Sequence, residues 1–318
     1  MNPRERFIRT FGHKEPDKVP VGLGINNCNK NYKKAYHSLR EYLGMLKDEA
    51  PVIYHRQMDT VYPKEDLWQL FEIDFRPLYM KTPSSFKPRE MDDDSFYDEL
   101  NIIWRRAGYY YDIIEYPLAG CESLSDLIKA TAKWLDPYNS GRIDGLKEEA
   151  KQLYEDTDFC LVADIMCAGP FAQACFLRGH EQFLIDLYWN LPFAKALLER
   201  ITERNVSLWD SYLGSLGSYV QVVCQGDDLG MQDSTYISPE MYRKFIKPQH
   251  QQLFSFIHSK TKAKLFLHTC GSIYDIIPDL IEIGVDILNP IQTSAAKMEL
   301  DKLKKEFGKD LVFWGRGV

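Results

Sequence analysis

What most constrains this chain is a recurring order along it: a short apolar run, a cluster of Gly and polar residues, then an amphipathic stretch. Seven apolar runs read as strands: Val19 to Ile25, Phe71 to Leu78, Cys160 to Ile165, Tyr219 to Cys224, Ala263 to Leu267, Val285 to Ile291 and Leu311 to Trp314. Between them lie helical patterns with their own punctuation. Tyr32 to Leu43 stops at Gly44, and Ala168-Gly169-Pro170 opens a helix ending at Arg178-Gly179. Glu181 to Leu213 breaks at Asn190-Leu191-Pro192, and Asp275 to Ile283 stops at Gly284. Pro239 to His258 has Ser238 as N-cap and Pro239 at its first position. Strands alternating with helices predict βα units on a parallel sheet, an α/β fold. A chain of 318 residues has room for one (β/α)8 TIM barrel. One stretch breaks the rhythm. Asn101 to Tyr116 reads as a β-hairpin turning at Ala107-Gly108, an excursion over about residues 97–120 of a single 1–318 domain.

Function is legible at the strand ends. Asn26, Asn27 and Cys28; Asp164 and Cys167; Gln225, Asp227 and Asp228; His268 and Cys270; Asn289 and Gln292; and Arg316 all follow apolar runs. A barrel gathers such ends on one face, where barrel enzymes keep their active sites. Charge narrows the partners. With 39 Lys+Arg against 46 Asp+Glu, the net charge is −7, and no basic stripe suggests nucleic acid. No run is long enough to span a membrane, and the N-terminus lacks a signal-peptide pattern. Seven irregularly spaced cysteines predict free thiols in a reducing cytoplasm rather than a disulfide framework.

The sharpest local element is Leu265-Phe266-Leu267-His268-Thr269-Cys270-Gly271. On extended backbone, i and i+2 point to one side, so the His268 imidazole and the Cys270 sulfur project together. Those are zinc-ligand types, and a catalytic zinc needs three protein ligands and one exchangeable position. The plainer alternative is a hydrogen-bonded histidine beside a buried cysteine. Asp227 and Asp228 read either as acid/base or ligand-binding groups or as a helix-capping or turn pair. Asn27, Asp164, Gln225, Asn289, Gln292 and Arg316 are candidate substrate contacts, or hydrogen bonders to loop backbone.

Several blocks, in this order, resemble the uroporphyrinogen decarboxylase superfamily: Asn2-Pro3-Arg4-Glu5-Arg6 with Gly12 to Pro20, Gly226-Asp227-Asp228-Leu229-Gly230 with Ile237-Ser238-Pro239-Glu240, His268-Thr269-Cys270-Gly271, and Ile283 to Gln292. The resemblance implies a (β/α)8 barrel. Its decarboxylase branch carries arginines after the first strand to grip substrate carboxylates. Here that loop reads Asn26-Asn27-Cys28-Asn29-Lys30-Asn31, without arginine, which makes haem-pathway decarboxylation the second reading. The first is the branch similar to corrinoid-dependent methyltransferases, which move methyl groups between methylcobalamin on a partner protein and a thiol or folate-type acceptor. In its thiol-methylating members, zinc is held by His-x-Cys and a later Cys. His268 and Cys270 match the first two ligands, and the third is expected beyond Val318, as are the eighth strand and last helices. A non-catalytic, corrinoid-protein-binding member is a third reading, and a homodimer a further partner expectation. The aromatic hairpin, with Trp104, Tyr109, Tyr110 and Tyr111, either packs on the barrel or offers a docking surface.

Overall fold

The computed structural model describes residues 1–26, 31–87, 89–91 and 93–315. Asn27, Cys28 and Arg316 lie outside them. A six-stranded sheet forms the centre. Its strands are β1 (Phe75–Leu78), β2 (Cys160–Ala163), β3 (Val222–Gly226), β4 (Lys264–His268), β5 (Ile287–Asn289) and β6 (Val312–Phe313). They lie side by side in chain order, every neighbouring pair parallel. Helices make the crossovers. β2 leads to α1 (Pro170–Arg178), α2 (His180–Trp189) and α3 (Leu191–Leu216). β3 leads to a helical run from Pro239 ending in α4 (Lys247–Lys260), β4 to α5 (Ile277–Glu282), and β5 to α6 (Leu300–Phe307). Proline opens α1, α3, α4 and α5 because its missing N–H is unpaired at a first turn in any case. Asn190 leaves helical geometry (φ −134°, ψ 56°) and divides α2 from α3 just before Pro192.

The two-residue period of the strands sorts their side chains into two layers. Leu161, Ala163, Val223, Leu265, Leu267 and Leu288 pack toward the helices. Phe75, Val162, Val222, Cys224, Phe266 and Ile287 fill the other face. That inner layer shows how far the sheet curls. Trp314, just past β6, lies 4.7 Å from the ring of Phe75 on β1 and 5.5 Å from that of Phe266. The two edges of the sheet therefore approach one another, an arrangement compatible with a TIM barrel.

The expected first strand, Val19 to Ile25, does not form. Val21 exchanges two hydrogen bonds with Asp74, and Ile25 reaches the inner core, but the chain bends between them. Gly24 has φ +64°, and a Cβ there would strike the Pro63 ring at 2.5 Å. Six strands rather than seven thus make the central sheet among the described residues. The second run also starts late, at Phe75. A helix, Glu65–Leu70, ends beside Phe71, and Glu72 takes a positive φ of 48°.

Between β1 and β2 the chain builds a four-stranded antiparallel sheet from Arg89–Met91, Ser95–Tyr97, Ile103–Ala107 and Tyr110–Glu115. The last two form the expected hairpin, its turn using Gly108 at φ +67°. Trp104 packs edge-on against Phe176 of α1 and Tyr111 against Phe96, whereas Tyr109 and Tyr110 are exposed. No described helix is long and apolar enough to cross a membrane.

Candidate metal centre at the carboxyl end of the sheet

His268 is the last residue of β4, in register with Gly226 on β3 and Asn289 on β5. Cys270 turns back so that its Sγ lies 3.4 Å from His268 Nε2. Asp228, from the loop after β3, brings Oδ1 to 3.8 Å from the same nitrogen. One atom each from Asp228, His268 and Cys270 fall within 4.8 Å of one another. With zinc–nitrogen and zinc–sulfur bonds of about 2.0 and 2.3 Å, a tetrahedral angle separates the two donors by about 3.5 Å. The observed spacing fits that donor set.

The imidazole is oriented from behind. His268 Nδ1–H donates to Asn289 Oδ1 at 2.8 Å, while Asn289 Nδ2 donates to the Trp314 carbonyl at 2.7 Å. Since the amide nitrogen is committed to a carbonyl, its oxygen must face Nδ1, leaving the Nε2 lone pair toward Cys270 and Asp228. The thiol is held protonated. Burial, then the Asp228 carboxylate beside it, pushes Cys270 up to about 11.

Two glycines set the loop that carries the thiol. Gly271 has φ +84°, and a Cβ on it would lie 2.5 Å from the Gly230 carbonyl carbon and the Met231 oxygen. The loops after β3 and β4 are thus pressed backbone to backbone. Asp228 Oδ1 accepts from Cys270 N at 3.0 Å, Thr269 Oγ1 accepts from Leu229 N at 3.0 Å, and Gln292 Oε1 accepts from Gly271 N at 2.9 Å.

Other strand-end residues are placed differently. Asp227 is buried, its oxygens accepting from Phe171 N (3.0 Å) and Ala172 N (2.7 Å) in the first turn of α1. It caps that helix from another segment of chain. His250 Nε2, at 2.8 Å, donates to the same carboxylate while Nδ1 accepts from Tyr242 OH at 3.2 Å. Gly169 is required here because a Cβ would overlap the Asp227 carboxylate. Gln225 is fully enclosed, accepting from the Trp209 indole and donating to the carbonyls of Cys167 and Gly226. Asp164 is buried and accepts from Tyr62 OH at 2.9 Å and Ile165 N at 2.6 Å. Asn26 donates to Cys224 Sγ in the inner core. Asn27 and Arg316 fall outside the described residues.

Sequence reading found the His-x-Cys pair but not its acidic neighbour's place: Asp228 reads as an acid/base or substrate-binding group or a turn residue, yet its oxygen stands beside both other donors. It also missed His250, which no motif marks. A cavity of about 770 Å³ lies near Phe7, Phe11 and Lys264, where β4 begins, at the other end of that strand from His268.

Residues 129–315, more than half of the chain, match the family model described as uroporphyrinogen decarboxylase (URO-D). Among solved structures, a methyltransferase from Methanosarcina mazei superposes with a TM-score of 0.57 at 17% identity, covering 100% of this chain and 93% of that one. No curated protein matches in sequence. Strand–helix order, the glycine-locked loops after β3 and β4, and the family match converge on one statement: the chain belongs to the uroporphyrinogen decarboxylase family.

Proposed function

We propose that this protein is a zinc-dependent methyltransferase moving a methyl group between a corrinoid protein, which bears methylcobalamin, and a thiol or folate-type acceptor. The observation that carries the reading is the convergence of imidazole, thiol and carboxylate at the end of β4. The fold shared with a methyltransferase supports it.

When bound, zinc holds an acceptor sulfur as its thiolate at neutral pH, the nucleophile that methyl transfer requires. Three groups of this chain would hold the ion: His268 through Nε2, Cys270 through Sγ and Asp228 through Oδ1. In this reading Asp228 is a third protein ligand, a carboxylate in addition to the pair for which the superfamily resemblance implied a later cysteine. Asn289 keeps the imidazole in the tautomer whose Nε2 presents its lone pair toward Cys270 and Asp228. Cys270 must lose a proton on loading, because its thiol otherwise titrates at about 11. One thiolate and one carboxylate would balance a dication, and three protein ligands would leave room for an acceptor sulfur. Gln292 and the Gly230–Gly271 contact hold the thiol loop in place. Asn27 and Arg316 are proposed substrate contacts.

Metal analysis of protein purified without chelator tests the reading: one zinc per chain, lost in His268→Ala and in Cys270→Ser. Loaded protein should then consume methylcobalamin in the presence of a thiol. Metal-free protein that turns over uroporphyrinogen, indifferent to chelators, would establish the decarboxylase instead.

A further inference from the structure

A second cleft opens at the carboxyl end of the sheet, between the tips of β1 and β2 and the antiparallel sheet. Its volume is about 380 Å³, within the usual range for small-molecule sites. Two buried guanidiniums stand in its wall. Arg204, on α3, is 6% exposed, and Arg142 is 3% exposed. Both lean on one carboxylate: Glu99 accepts from Arg204 Nη2 at 2.7 Å and from Arg142 Nη2 at 2.9 Å. One negative charge therefore serves two positive ones.

The shortage is visible atom by atom. Arg204 Nε and Nη1 are buried with no hydrogen-bond partner among the described residues, and so is Gln173 Oε1 on α1. The other charges lining the cleft are engaged elsewhere. Arg56 pairs with Glu90, Lys81 donates to the Asp144 carbonyl, and Asp98 accepts from Leu100 N, Ile102 N and the Trp104 indole. Burying a guanidinium that shares its one counter-charge and leaves two nitrogens unbonded is costly, and a second anion would relieve it. Met80, Phe96, Trp104 and Phe176 give the wall an apolar part.

We propose that this cleft binds a small amphiphilic carboxylate, its anionic end on Arg204 and its apolar body against Phe96, Trp104 and Phe176. Gln173 Oε1 accepts from a hydroxyl or amide on such a ligand. Position suggests how the site is used. Ala168, in the cleft wall, bridges Gly226, and Gly226 pairs with His268. Two ladder steps, about 10 Å, thus separate the cleft from the candidate metal donors. Binding needs no metal; use of the ligand as a reactant at His268 and Cys270 rests on the methyl-transfer reading.

Calorimetric titration of the full chain with 3-phenylpropionate tests the site. Saturable binding is expected, at least about tenfold weaker for acetate and for 3-phenylpropanamide, which lack the apolar body and the charge respectively. Arg204→Met should weaken phenylpropionate by at least about tenfold and leave the amide unchanged. Equal affinity for amide and carboxylate, or no saturable heat below about 10 mM, overturns the proposal. The amide–carboxylate comparison uses the unsubstituted protein, so it holds even should Arg204→Met fail to fold. Zinc content is read on the same samples. Phenylpropionate binding without zinc sinks the metal reading alone, and zinc without phenylpropionate binding sinks this one alone.

Discussion

Asp227 and Asp228 are neighbours in the chain and belong to different regions of the protein. The first points back into the scaffold, where two amides of α1 and the His250 ring take up its oxygens. The second points to the mouth, beside Cys270 and His268, and is exposed. One peptide unit thus carries a buried carboxylate engaged by the scaffold and an exposed one beside the candidate metal donors. The difference teaches that an acidic pair at a strand end need not be a catalytic dyad: alternation of backbone direction sends one member to each side.

The largest effect should come from the buried member. Asp227→Ala leaves two amides and an imidazole without their acceptor, and should cost about 3–5 kcal/mol of unfolding free energy. A urea midpoint falling at unchanged slope would show it. Stability within about 0.5 kcal/mol of the parent would mean that Asp227 is no cap and would dissolve the comparison. Next comes the seam between the two loops. Gly271→Ala must hold φ near +84° and displace the Gly230 backbone, a cost of about 2 kcal/mol or more. Its unfolding midpoint should drop, and zinc retention with it, because the seam carries Cys270.

Much of this architecture was readable in the chain because its cause is local. Cys160–Ala163 and Lys264–His268 are short apolar runs set between helical patterns, and Pro170 and Pro192 mark helix starts wherever the chain ends up. Val19 to Ile25 misled for a local reason too: it has strand-like residues, but Gly22 and Gly24 allow the bend that the close approach of Pro63 requires. His268 and Cys270 were visible because two residues apart on extended backbone is a local relation. The long-range relations were not visible. Asp227 meets α1 across 55 and 56 residues, and Glu99 meets Arg204 across 105. No periodicity records such pairings, since they are fixed by which loops the sheet order brings together.

At the mouth the effects are smaller in stability and larger in metal binding. Asn289→Ala removes the acceptor that fixes the His268 tautomer and should weaken zinc by about 10–100-fold, with little change in unfolding. Competition with a chromogenic chelator reads that ratio. An unchanged affinity would show that the imidazole orients itself. Proton linkage gives a further handle. Because burial and Asp228 hold the Cys270 thiol up to about 11, it is protonated throughout the neutral range and must release a proton to bind metal. Zinc affinity should therefore rise with pH, by about tenfold per unit from this group between pH 7 and 9. Cys270→Ser should flatten the slope as well as lower the affinity.

The smallest expected change in stability is also the sharpest test of the comparison. Asp228→Asn keeps the side-chain oxygen near Cys270 N but removes the negative charge beside the thiol. Unfolding free energy should stay within about 0.5 kcal/mol, since the group is exposed. The thiol should respond nonetheless. Its pKa is raised by burial first and by Asp228 second, so it should fall below about 11 while staying above the ordinary cysteine value. Thiolate absorbance of metal-free protein, taken as a difference against Cys270→Ser, isolates that one group. A thiol unmoved by the substitution would mean that the Asp228 charge does not act on Cys270. Asp228→Asn as destabilising as Asp227→Ala would mean that both carboxylates belong to the scaffold, and the candidate metal centre would lose its third donor.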